Sequence, residues 1–177
     1  MSHIIYQTEG IVLGKRDFGE ADRLFTIFTE KFGKINAVAQ GIRYLKSKLR
    51  CNLDLFSCSR IGLVSGKETW RIVDAEEING SRKIIFAPEN LKILSNIFRL
   101  IDRLVQGEEK NEFLWNEMKV ITETLNKKKM PKEELEKIET ESLLRALYNL
   151  GYIEKQEYKN KKDAVSAINK AIKESML

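Results

Sequence analysis

The hydrophobic period of this chain changes once, near residue 80, and that change limits the folds open to it. Before it, short runs of β-branched and aromatic residues are punctuated by Gly10, Gly14, Gly19, Gly33, Gly41, Gly62 and Gly66. After it, apolar residues recur every three or four positions. The first pattern belongs to short strands joined by turns. The second belongs to amphipathic helices. The expected architecture is two-domain α+β, residues 1–79 as a small closed sheet and residues 80–177 as an all-α domain. The 177 residues, 42% of them hydrophobic, suffice to bury a core.

Five strands are predicted: Thr8–Lys15, Leu24–Thr29, Lys34–Gln40, Phe56–Val64 and Thr69–Ala75. Residues 42–54 break the pattern and read as a loop or a short helix. In the second half, Leu91, Leu94, Phe98, Ile101 and Val105 form one apolar stripe, and Leu114, Met118, Ile121 and Leu125 another. Pro131 is placed in the first turn of a third helix, which carries Leu135, Ile138, Leu143, Leu147 and Leu150 up to Gly151. Ala164, Ile168 and Ala171 mark a fourth.

Chemistry that makes or breaks bonds has little to work with. His3 is the one histidine, so neither a Ser/His/Asp set nor a Cys/His set is available. Cys51 and Cys58 match no zinc spacing or disulfide framework and read as semi-buried packing residues, reduced in a cytoplasmic protein. No Gly-rich phosphate loop precedes a helix. The charged run Arg16-Asp17…Glu20-x-Asp22-Arg23 has two readings: a carboxylate set for catalysis, or charges that pair with one another and hold the turn between the first two strands. The second is the expectation. No signal peptide and no membrane span are expected. Neither catalysis nor a cofactor is expected.

Charge distribution is more informative than the net +5. From Lys31 to Leu53 the chain has Lys31, Lys34, Arg43, Lys46, Lys48 and Arg50 and no acidic residue. An acid-free basic stretch that includes an irregular loop suits the tracking of phosphates. Tyr44, between Arg43 and Lys46, is placed to stack on an unpaired base. The competing reading is a solvated surface. The runs Lys127–Lys129 and Lys159–Lys162 are surrounded by acids and read as solvated helix ends. Trp70, in a strand, and Trp115, in a helix, read as core or half-buried, with base stacking left open for Trp70.

Several spaced motifs resemble one family. The run from Glu9-Gly10-Ile11-Val12-Leu13 through Arg16-Asp17-Phe18-Gly19-Glu20-Ala21-Asp22-Arg23-Leu24 is similar to the opening signature of the RecO family of recombinational DNA-repair proteins. Phe28–Lys34, Ala39–Arg43, Ser47–Arg50, Leu53 and Phe56-Ser57 resemble later family motifs in the same order. In the second half the likeness rests on Leu143-Leu144…Leu150-Gly151-Tyr152. The resemblance implies an N-terminal five-stranded OB-fold barrel followed by a helical domain. It implies a non-catalytic mediator that binds single- and double-stranded DNA and anneals strands. It also implies two partners, RecR and the acidic C-terminal tail of single-strand-binding protein. An apolar helical groove framed by basic residues suits that tail, with Arg99, Arg103 and Arg145 as candidates. The family's four-cysteine zinc module has no counterpart in Tyr152–Lys162, so no metal is expected. Two rival functions stand beside this one: a protein-interaction adaptor that has lost DNA binding, and an RNA-binding OB-fold protein of translation.

Overall fold

The computed structural model describes residues 4–67, 69–78, 87–127, 130–154, 158 and 160–175, with Lys127 as backbone only. His3, the domain boundary expected at 79/80, the side chains of Lys127–Lys129, and Lys159 lie outside the described residues.

Five strands come first: β1 (Ile5–Phe18), β2 (Asp22–Thr29), β3 (Gly33–Ala39), β4 (Cys58–Ser65) and β5 (Trp70–Glu77). They close into a barrel in the order β1-β2-β3-β5-β4. All pairings are antiparallel except β3 with β5, which run parallel and close the ring. Five short strands closed in this way form the OB-type barrel. Four helices follow: α1 (Pro88–Leu104), α2 (Glu112–Lys127), α3 (Lys132–Asn149) and α4 (Lys161–Glu174). Among the described residues, no helix is long and apolar enough to cross a membrane.

The barrel interior follows from strand alternation. In β3, Ile35, Ala37 and Ala39 are buried while Asn36 is exposed. Phe25 and Ile27 do the same in β2, and Val12, Ile61, Leu63 and Ile72 belong to the same cluster. The alternation fails where helices cover the outer face. Ile11 and Phe28 are register partners, and both pack with Leu94, Phe98 and Met118 in a second cluster. A third cluster joins α1, α3 and α4 through Leu100, Leu104, Leu147 and Ile168.

Polar and backbone contacts also tie the barrel to the helical half. Lys119 Nζ of α2 donates to Glu9 Oε2 at 2.8 Å. Lys34 Nζ donates to the Asp102 carbonyl at 2.6 Å. Trp70 Nε1 lies 3.2 Å from both carboxylate oxygens of Glu108. Gly33, at φ +63°, abuts the backbone of Glu109 so closely that an added Cβ would fall 2.1 Å from its carbonyl oxygen.

Three local expectations are corrected. β1 runs past Lys15 to Phe18, because its last residues pair with Asp22–Leu24 in a hairpin that projects from the barrel. β4 begins at Cys58, because Phe56 takes φ +65° and donates its N–H to the Val12 carbonyl at 2.8 Å. Pro131 caps α3 from outside, in extended conformation, instead of lying in its first turn.

Candidate nucleic-acid interface

The connection from β3 to β4 closes one end of the barrel. Ile42 and Leu53 point into the barrel cluster, with Leu49 packed against it. The residues between them point out: Arg43, Tyr44, Leu45, Lys46, Lys48 and Arg50 are all exposed. A short 3₁₀ turn spans Lys48–Cys51. The apolar residues thus anchor the connection, and its cations stay exposed, with Arg43 Nη1 reaching back to the Gly19 carbonyl at 3.4 Å.

Hydrogen bonds fix the loop internally, to the β1–β2 hairpin and to β5. Asp22 Oδ1 accepts from the Gly41 N–H at 2.8 Å. Arg43 N–H donates to the Ala21 carbonyl at 3.0 Å, and Ser47 N–H to the Tyr44 carbonyl at 3.0 Å. Asn52 Nδ2 donates to the Ala75 carbonyl at 2.9 Å. On the hairpin, Asp17 Oδ1 pairs with Arg23 Nη2 at 2.9 Å, and its Oδ2 lies 3.8 Å from Arg43 Nη1. Asp17, Asp22 and Arg23 of the charged run around Gly19 are therefore engaged in holding the hairpin and the loop together.

This arrangement divides the acid-free stretch. Arg43, Tyr44, Lys46, Lys48 and Arg50 share the loop at one end of β3. Lys31 and Lys34 lie at its other end, about 20 Å away along seven residues of strand. Lys31 Nζ donates to the Gln7 carbonyl at 2.7 Å. Lys34, with its side chain 19% exposed, faces α1.

Strand register adds two cations that the linear sequence does not group. Arg16 pairs with Leu24, Leu24 with Val38, and Val38 with Arg71. The four share one row across the barrel's outer face, beside the row of Thr26 and Asn36, which are hydrogen-bonded at 3.1 Å. The outer face of strands 2 and 3 is where OB folds take oligonucleotides. Only pairing reveals this row; no spacing in the sequence signals it.

Other expectations resolve individually. Trp70 belongs to an aromatic trio with Phe32 and Tyr6, at centroid distances of 5.0 and 5.6 Å, and its indole is taken by Glu108. Trp115 is buried. Cys58 is buried, and desolvation first, then the Glu9 charge, pushes its thiol up to about 12. Cys51, expected half-buried, is exposed because it closes the 3₁₀ turn on the outer side of the loop. Among the described residues, no three His, Cys, Asp or Glu side chains cluster as a metal site.

In the helical half, a cavity of about 590 Å³ between α1 and α3 is lined by Ile93, Met130 and Leu135. Its rim has Glu89, Glu136 and Glu139 against Lys92 and Lys132. Arg99, Arg103 and Arg145 are not part of that lining. Arg145 Nε is paired with Glu117 at 2.9 Å.

Residues 1–80 match the family model described as recombination protein O, N terminal. The chain is 33% identical over 143 residues to DNA repair protein RecO of Alkaliphilus metalliredigens, covering 81% of this chain and 55% of that one. It is 32% identical over 100 residues to DNA repair protein RecO of Heliobacterium modesticaldum, covering 56% and 37%. Over 71 residues it is 48% identical to DNA repair protein RecO of a Synechocystis strain, covering 40% and 26%. The aligned part thus spans about half or less of the length of these curated relatives.

Proposed function

We propose that this chain, which belongs to the RecO family through its residues 1–80, is a recombination mediator in DNA repair. It binds single- and double-stranded DNA through residues 1–79 and promotes annealing of complementary strands. The helical domain, α1 to α4, serves its protein partners, RecR and the C-terminal tail of single-strand-binding protein. The exposed Arg99 and Arg103 of α1 offer that acidic tail basic contacts.

One observation carries the reading. The loop joining β3 to β4 is held in place from inside by Ile42 and Leu53, and it presents Arg43, Lys46, Lys48 and Arg50 together. Annealing requires two polyanions to approach. Cations that replace the condensed counterions of each strand lower the repulsion, and the released ions drive binding. Contacts to phosphates carry no base code, so any pair of complementary strands is served. No bond is made or broken by the protein.

The test is a titration of labelled single-stranded DNA, duplex DNA and structured RNA over a range of salt, with annealing of complementary oligonucleotides read in parallel. Four phosphate contacts give a slope of log K against log salt near −4 for duplex and about −3 for single strands. Failure to bind any nucleic acid points to an adaptor. Preference for structured RNA points to the translation apparatus.

A further inference from the structure

The tip of the same loop is apolar. Leu45 is 88% exposed, more than any other large apolar side chain among the described residues, and Tyr44 beside it is 65% exposed. A scattered surface leucine needs no explanation. Here, however, the same loop buries Ile42 and Leu53 almost completely, so it has a route to the interior that Tyr44 and Leu45 do not take. The tip is also held in shape. Tyr44 donates its N–H to Gly41 at 3.1 Å and accepts from Ser47 at 3.0 Å, while Arg43 is bonded through its own N–H to Ala21. The order along the tip is cation, aromatic, aliphatic, cation: Arg43, Tyr44, Leu45, Lys46.

We infer that the Tyr44–Leu45 tip is a base-contacting element: Leu45 enters between neighbouring unpaired bases, Tyr44 stacks on one of them, and together they favour single strands over duplex. This rests on the DNA-binding reading above and adds a determinant of strand state to it. Charge complementarity selects the occupant. Cations on both sides of the tip hold phosphates, and what lies between successive phosphates of a single strand is an unpaired base. In a duplex those bases are stacked and paired, and the tip meets them only by unstacking a step. In a single strand every base offers a face, and stacking on an aromatic side chain is tolerant of sequence. The fixed backbone means that little ordering remains to be done on binding.

The experiment uses the whole chain and a single-stranded oligonucleotide containing aminopurine, a base whose fluorescence rises on unstacking, alongside its duplex. The wild-type chain is expected to raise the fluorescence of the single strand. Tyr44→Ala should lose roughly tenfold in single-strand affinity, and Leu45→Ser should abolish most of the fluorescence rise. Duplex affinity and both salt slopes should stay unchanged. Tyr44→Phe, which keeps the ring, should behave as wild type. Equal losses on single strand and duplex, or no loss on either, would overturn the inference while leaving phosphate binding intact. A loss confined to structured RNA would overturn it in favour of an RNA ligand. A wild-type chain that binds no nucleic acid sinks the underlying reading as well, and its own salt titration reports this separately. Both side chains are exposed, so the variants should melt as wild type.

Discussion

Lys34 of β3 is anchored to Asp102 of α1, with its ammonium 2.6 Å from the Asp102 carbonyl and 3.4 Å from the carboxylate. One residue thus supplies both acceptors, and the cation is turned from the barrel surface towards the helical domain. Lys34→Ala should lower stability by about 1 kcal/mol, the value of a charged hydrogen bond discounted for partial exposure. That corresponds to a fall in melting temperature of about 2–4 °C for a chain of this size. The salt slope of DNA binding should not change. A shallower slope would place Lys34 on a phosphate.

Arg43 and Lys48 should behave in the opposite way. Replacing both with Ala should make the salt slope shallower by roughly one to two units. Affinity should fall by a similar factor on all sequences, with little change in melting temperature. Lys137 and Lys170 are suitable controls, because each lies on an exposed helix face four residues from a glutamate. If their double alanine variant loses as much affinity, bulk charge and not the loop is responsible.

Asp17 restrains the same surface. Its carboxylate touches Arg23 at 2.9 Å and lies 3.8 Å from Arg43, so it offsets two cations beside the loop. Asp17→Asn keeps the shape and removes the charge. Duplex affinity at low salt should rise severalfold, with a slope steeper by up to about one unit. In an Arg43→Ala background most of the gain should vanish, which a double-mutant cycle measures.

Gly33→Ala tests the seam between barrel and helices. The left-handed backbone alone costs a residue with a Cβ about 1–2 kcal/mol. At Gly33 that Cβ also meets the Glu109 backbone, which cannot swing aside like a side chain. A loss of at least about 3 kcal/mol is expected in urea unfolding. Gly19→Ala is the control, since Gly19 has φ +60° and nothing within 4 Å of an added Cβ. It should show the conformational cost alone.

Alkaline stability should report on Cys58. Its folded-state thiol is pushed from 9.0 to about 12, chiefly by burial. The stabilisation from keeping it neutral is complete below about pH 9 and is lost progressively as pH rises towards 12, because the unfolded thiol ionises first. The full difference is on the order of 4 kcal/mol. Lys119, raised from 10.5 by its hydrogen bond to Glu9, acts in the same direction above that pH. Denaturant unfolding between about pH 8 and about pH 11 should fall steeply for wild type and less steeply for Cys58→Ala. A thiol reagent near neutral pH should modify exposed Cys51 quickly and Cys58 only as the chain unfolds.

The period of the apolar residues determines which stretches of this chain are strands and which are helices, because strand and helix bury one face at different intervals. The five runs and the four stripes lie where the backbone forms those elements, and the family motifs lie along the barrel strands and their connections. Terminal residues shift where pairing decides, as at Phe18, where a hairpin partner prolongs β1, and at Phe56, where a left-handed residue delays β4. The grouping of charges is a different matter. Lys34 and Arg43 are neighbours in one acid-free stretch, yet an extended strand separates them and Asp102 claims the first. Arg16 and Arg71 are remote in sequence, yet register across four strands puts them in one row. Ile11 and Phe28 break the strand alternation only because helices cover the barrel there. Local periodicity is a property of residues a few positions apart and is written in the sequence. Which charges share a surface depends on strand register and on what packs against each face, and these are set by contacts that exist only in the folded chain.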